Sequence, residues 1–208
     1  MQEKRMAIHP QERLSDEDLI LLVQEGQKQA FDQLVFRYKD RLFNFILKMV
    51  RDPDLAEEIA QDTFVRAYIH ADKYRTIARF STWLYTIGLN LVRNHMRRKK
   101  RSPIGRIPMV GRADGEKVEM ELPDKGHQPD RDVRNTEMKT RVAEIVTKIP
   151  EHYREPFLLR EYGDLSYEEI SAATGLKIGT VRSRINRARS HFRENWVASF
   201  GTDADTLV

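Results

Sequence analysis

Amides and guanidiniums make paired hydrogen bonds to base edges, and one stretch of this chain puts several of them on one side of a helix. From Phe80 to Arg101 it reads FSTWLYTIGLNLVRNHMRRKKR. At about 100° per residue, Trp83, Thr86, Asn90, Arg93, Asn94 and Arg97 share a face, and Leu84, Tyr85, Gly88, Leu89, Leu91, Val92 and Met96 lie largely opposite. One face packs; the other offers groups for base edges and phosphate, and an indole that can stack on a base outside the duplex. A solvated amphipathic helix with a basic tail would show the same two faces, so this stretch alone leaves both readings open.

Its surroundings favour phosphate. Between Asp72 and Asp114 there are 41 residues without an acid, in a chain holding 32 acids among 208 residues. The same gap carries eleven Lys or Arg, among them Lys73, Arg75, Arg79, Arg93, Arg97 and Arg98. That is the charge pattern of a nucleic-acid-facing surface.

A second constellation lies near the C-terminus. Ser166 and Glu169 form a capping box, Ile170 and Ala173 point inward, Gly175 breaks the helix, and a new helix starts near Ile178. Ile178, Val181, Ile185, Ala188 and Phe192 make a narrow apolar stripe on that helix. Thr180, Ser183, Arg184, Asn186, Arg187 and Ser190 stand opposite, with Arg182, Arg189 and Arg193 on the flanks. Helix, short glycine turn and polar-faced helix are the pattern of a helix-turn-helix, whose second helix fits the major groove.

The elements that position these faces are helical. Ser15 and Asp18 cap a short helix ending at Gly26, and apolar residues at three- and four-residue spacing predict a helix over 28–50 that stops near Pro53. Asp54 to about Ala71 predicts a third, with an outer face mixing acids with Val65, Tyr68 and Ile69; on spacing alone this is an acidic solvated face or a protein-partner surface. Lys73 to Ser81 reads as a basic loop. Residues 102–133 hold four of the eight prolines and four of the ten glycines, and their second half is acidic, which predicts a flexible linker. Beyond it a helix stops before Pro150, and Pro156 suits the first turn of the next. The fold class is therefore all-α: one helical domain over 14–101, a linker over 102–133 and a second helical domain over 134–200.

Composition narrows the function. The chain is 40% hydrophobic, 33% charged and only +4 in net charge, so its basic character is local. It has no cysteine, which excludes disulfides and cysteine-ligated zinc and suits a reducing cytoplasm. No apolar run approaches the roughly 20 residues of a membrane span, and Met1 to Pro10 lacks a signal peptide's apolar core. The expectation is a cytoplasmic protein with no membrane insertion. Six histidines without metal-ligand spacing, no Gly-rich phosphate loop and no nucleophile elbow predict no metal, no cofactor and no enzymatic activity.

Four segments together resemble RNA polymerase sigma factors of the extracytoplasmic-function type, in the sigma-70 family. They are AFDQLVFRYKDRLFNFI, DLAEEIAQDTFVRAY and FSTWLYTIGLNLVRNHMRR in the first domain and LSYEEISAATGLKIGTVRSRINRAR in the second. The resemblance implies that the first domain is sigma region 2 and the second sigma region 4. It implies that the acidic third helix docks on the clamp helices of core RNA polymerase, through Glu58, Gln61 and Asp62. It further implies that Lys73, Arg75, Trp83, Thr86, Asn90, Arg93, Asn94, Arg97 and Arg98 serve recognition and opening of the promoter −10 element. Lys177, Thr180, Arg182, Ser183, Arg184, Asn186 and Arg187 would then serve the −35 element. Promoter DNA, double- and single-stranded, and an anti-sigma factor complete the implied partners.

Two departures qualify the likeness. Primary sigma factors carry adjacent tryptophans where this chain has Trp83 and Leu84, which predicts weaker intrinsic melting. Lys177 replaces the proline often found before the recognition helix. Two alternatives stay open at this point: a stand-alone helix-turn-helix regulator, which leaves the acidic helix and the Trp-containing basic helix without a purpose, and a protein-sequestering adaptor.

Overall fold

The computed structural model describes residues 14–101, 138 and 141–200, with the backbone alone at Lys100 and Arg101. The linker expected over 102–133 lies outside the described residues. Those described form helices and short turns, with no strand among them.

The N-terminal group has four α-helices. α1 (Asp16–Gln24) starts at Ser15, whose side chain and that of Asp18 satisfy each other's backbone N–H groups. α2 (Lys28–Val50) ends at Arg51, in the left-handed region at φ 62°. α3 (Pro53–Ile69) begins with proline in its first turn and the Asp52 carboxylate accepting from the Leu55 N–H. A 3-10 turn (Ala71–Lys73) follows, and then α4 (Phe80–Arg101). Leu19, Leu34, Leu42, Phe45, Ile46, Ala56, Phe80, Leu84, Tyr85 and Leu89 are fully buried between them. The approach is close at Gly88, where an added Cβ would already stand 3.4 Å from both Leu42 Cδ1 and Thr63 Oγ1.

The C-terminal group comprises α5 (helical over 141–148), α6 (Glu151–Glu161), α7 (Tyr167–Thr174) and α8 (Ile178–Phe200). The capping box at Ser166 and Glu169 and the glycine break are as read from the sequence: both reciprocal bonds form, and Gly175 takes φ 75°, where a side chain would be strained. Val181, Ile185 and Ala188 are buried, whereas Ile178, expected in the same stripe, is 40% exposed. It sits at the first helical position of α8, before the helix has reached the core.

A second expectation fails at Pro156. The helix starts at Glu151 with Pro150 as its cap, so Pro156 lies inside α6 rather than in its first turn. Proline has no N–H, so the carbonyl four residues earlier, on His152, lacks its helical donor. The Arg184 guanidinium on α8 supplies one at 3.3 Å. The kink-prone position is thus answered from the neighbouring helix.

The two groups share one apolar core, with α2 against α6 and α4 against α7. Charge-assisted bonds to carbonyls at helix ends reinforce the join. Buried Arg154 donates to the carbonyls of Thr147 at 2.8 Å and Ile149 at 2.6 Å, and Arg51 at the end of α2 also reaches Thr147, at 2.8 Å. At the other end of α6, the Tyr162 carbonyl accepts from Tyr85 Oη at 2.7 Å and Arg41 Nε at 3.1 Å. Both bonds reach toward the negative end of the α6 dipole.

Candidate nucleic-acid interface

α4 carries the two faces expected of it, but its polar face is not free. Asn90, Asn94, Arg97 and Arg98 are exposed along its outer side. The Asn94 Oδ1 accepts from Arg97 Nη2 at 2.7 Å, which presents amide and guanidinium as a preformed pair. Thr86 donates its hydroxyl to the Thr82 carbonyl at 2.7 Å and is half-buried. Arg93 is held across the group boundary: its guanidinium meets the Glu155 carboxylate of α6 with both arms, at 3.0 and 2.6 Å, and reaches the Thr174 carbonyl at 3.4 Å. One turn nearer the helix start, buried Thr82 donates to Glu169 Oε1 of α7 at 2.6 Å.

Glu169 therefore serves two elements, capping α7 and gripping α4. Burial works against its charge, but the bonds from Thr82 and Ser166, with Arg79 close by, outweigh that cost and hold the carboxyl below its ordinary titration point. Thr82, Glu155 and Glu169 were not among the residues singled out for α4, since no periodicity within one helix points to a partner more than sixty residues away.

Trp83 is half-buried rather than projecting. Its ring lies 5.4 Å from Tyr74 and 6.0 Å from Phe80, in an aromatic cluster that Tyr38 extends at 5.5 Å from Phe80. Burial and the carboxylates of Glu17 and Asp16 push the Tyr74 phenol up to about 12. Ahead of α4, Lys73 and Arg75 are exposed, and Arg75 Nη1 closes the turn by donating to the carbonyls of Asp72 at 2.6 Å and Tyr74 at 2.9 Å. Ile77, which the sequence reading passed over, stands 95% exposed in the same loop.

On α8 the polar residues divide. Lys177, Arg182, Ser183 and Asn186 are exposed, and the Lys177 carbonyl opens the helix by accepting from the N–H groups of Thr180 and Val181. Ser183 donates back to the Thr180 carbonyl at 3.0 Å. Arg184 and Arg187 instead turn toward α6, Arg184 to the His152 carbonyl and Arg187 to the Tyr153 hydroxyl at 3.2 Å, with its guanidinium 5.8 Å from the Tyr153 ring centre.

α3 exposes the residues expected on its outer face. Glu58 and Gln61 are open to solvent, and Asp62 pairs with Arg66 at 2.9 Å. Beside them Val65, Tyr68 and Ile69 are 42%, 39% and 63% exposed, so the face combines acids with apolar area. Such a surface suits a protein partner.

A helical protein with a basic amide-bearing helix in one half and a helix-turn-helix in the other is a DNA-binding protein by architecture. The family model for sigma-70 region 2 matches residues 34–102, and that for sigma-70 region 4 matches residues 139–192. The RNA polymerase sigma-H factor of Pseudomonas aeruginosa is 35% identical over 84% of this chain and 90% of its own length. The ECF RNA polymerase sigma-E factor of Haemophilus influenzae is 33% identical over 86% of this chain and 93% of its own. Among solved structures, CnrH in complex with the cytosolic domain of CnrY is 25% identical with a TM-score of 0.63, covering 88% of this chain and 97% of that one. The sigma factor RpoE of Bartonella quintana, in complex with the anti-sigma factor NepR, is 25% identical with a TM-score of 0.58, covering 80% and 96%. This chain belongs to the extracytoplasmic-function RNA polymerase sigma factors of the sigma-70 family.

Proposed function

We propose that the chain is an alternative sigma factor: it binds core RNA polymerase, directs it to promoters through −35 and −10 elements, and stabilises the opened strand. The observation that carries this is the coexistence, in one chain of this family, of a polar basic helix α4, a helix-turn-helix ending in α8 and an acidic, partly apolar α3 face. A stand-alone regulator needs only the second. In this reading Glu58, Gln61 and Asp62, with the adjoining apolar residues, dock on polymerase. Lys73, Arg75, Trp83, Thr86, Asn90, Arg93, Asn94, Arg97 and Arg98 serve the −10 element, and Lys177, Thr180, Arg182, Ser183, Arg184, Asn186 and Arg187 the −35 element. The protein performs no covalent chemistry and works in the cytoplasm.

The packing of α4 on α6 and α7 adds a condition. Arg93 cannot hold Glu155 and a phosphate at once, so DNA engagement through this residue requires the C-terminal group to leave α4. The arrangement described is accordingly a closed form. An anti-sigma factor, of the kind that accompanies the Bartonella relative, would have such a form to stabilise.

Co-purification with core polymerase followed by run-off transcription on fragmented genomic DNA tests the proposal. Discrete transcripts that need both core and this chain are expected. Specific DNA binding without core association would establish the stand-alone regulator instead.

A further inference from the structure

The loop between the 3-10 turn and α4 is built to hold one apolar side chain out in water. Both its ends are fixed. Tyr74 is 2% exposed, its hydroxyl donates to the Ala78 carbonyl at 2.7 Å, and its own carbonyl accepts from Gln24 Nε2 at 3.2 Å. Phe80 is fully buried, and its N–H donates to Glu17 Oε1 at 3.0 Å. Between these anchors the five residues 75–79 are all exposed, with a turn at Thr76 and Ile77.

Ile77, at 95%, is the most exposed large apolar side chain among the described residues; Phe36 follows at 69%. Single exposed apolar residues are ordinary on protein surfaces and need no explanation by themselves. Here three further observations converge. The loop is braced at Tyr74 from within and without. It is not forced outward by strain, since the only non-glycine residues with positive φ among the described ones are Arg51 and Asp164. Its charged neighbours Lys73, Arg75 and Arg79 are all cations, within a stretch that has no acid from Lys73 to Ala113.

Cations around a protruding branched aliphatic group complement a particular ligand: phosphates on the outside and an apolar slot between bases on the inside. Isoleucine is among the side chains that proteins insert between base steps, unstacking them at a cost recovered through backbone contacts. We infer that Ile77 is an apolar wedge that enters the base stack of the promoter as the duplex opens, with Arg75 and Lys73 holding the flanking phosphates. The wedge lies outside Trp83, whose ring is packed against Tyr74 and Phe80, so the loop tip meets the duplex before the indole does. This rests on the reading of the chain as a sigma factor and assigns within it the residue that starts strand separation.

The test uses holoenzyme reconstituted from core polymerase and the full chain. Its probe is a promoter fragment selected by the wild-type holoenzyme from random-sequence DNA, prepared fully duplex and with the −10 region already opened by mismatches. Ile77→Ser is expected to slow open-complex formation on the duplex about tenfold, read by permanganate reactivity of thymines, and to restore near-normal transcription on the pre-opened fragment. Ile77→Leu should retain most of the activity on both. Because the side chain touches almost nothing, thermal unfolding of Ile77→Ser should match wild type, which separates a wedge from a folding defect. An unchanged rate on duplex DNA overturns the inference, as does an equal loss on both fragments. A loss that tracks weaker association with core overturns it too, by assigning the loop to a protein partner. If wild-type holoenzyme initiates on neither fragment, the sigma-factor reading itself falls, a result distinct from any of these.

Discussion

Replacing Glu155 by glutamine keeps the shape of the side chain and removes the charge that holds Arg93. The pair is two-pronged, at 3.0 and 2.6 Å, and sits between the extremes of burial, with 33% of the arginine side chain and 17% of the glutamate side chain exposed. Exposed pairs contribute about 0–1 kcal/mol and hydrogen bonds to charged groups about 1.5–3 kcal/mol. A loss of about 1–2 kcal/mol is the reasonable expectation for Glu155→Gln. That multiplies the ratio of open to closed molecules by roughly 5 to 30. The natural chain has no cysteine, so Gln33→Cys and Ser190→Cys, both at exposed positions, give a clean donor and acceptor site on the two groups. Single-molecule energy transfer in the free protein should show a minor low-transfer population that grows in Glu155→Gln. Raised salt should push the wild type the same way, since screening weakens a partly exposed pair. Arg93→Gln should open the protein as well, and the double variant should add little to either single one. An unchanged distribution in Glu155→Gln, at low and high salt, would refute the claim that this pair holds the groups together.

Three further outcomes are expected. Arg154→Met should lower the unfolding midpoint sharply, by about 3 kcal/mol or more, because the carbonyls of Thr147 and Ile149 lose a buried charged donor; calorimetry checks it. Glu169 titrates below its ordinary value in the folded chain, so its contribution is present above about pH 4.5 and is lost as pH falls through the lower folded value; Glu169→Gln should flatten the pH dependence of the midpoint between about pH 5 and pH 3. Asn186→Ala should weaken −35 footprints by about 1–3 kcal/mol without altering stability, whereas Arg184→Ala should also cost about 1 kcal/mol of stability, and parallel footprinting and melting would expose any failure of this split.

Much of the molecule was legible because its signals are local. The two capping boxes, Gly175 and the three- and four-residue spacing within each helix are short-range effects, and each predicted its element. The failures have a common physical origin. Pro156 is tolerated within α6 because a donor arrives from α8, and Ile178 is exposed because the packing surface ends before it. The engagement of Arg93 by Glu155 joins residues on helices that contact only after folding. Trp83 was assigned to the polar face by angle, yet its ring is long enough to fold back onto Tyr74 and Phe80. A helical wheel gives the direction of a Cβ, not the place where a large side chain comes to rest.

The missing amide proton at Pro156 has a consequence for how this sequence can drift. A substitution there that restored the N–H would return His152 to its own helix and release Arg184, turning a tether into a free cation on the recognition helix. Positions 156 and 184 should therefore vary together among relatives, a non-proline at the first permitting a neutral residue at the second. Any change of promoter preference that arrived by this route would begin on a helix that never meets the DNA.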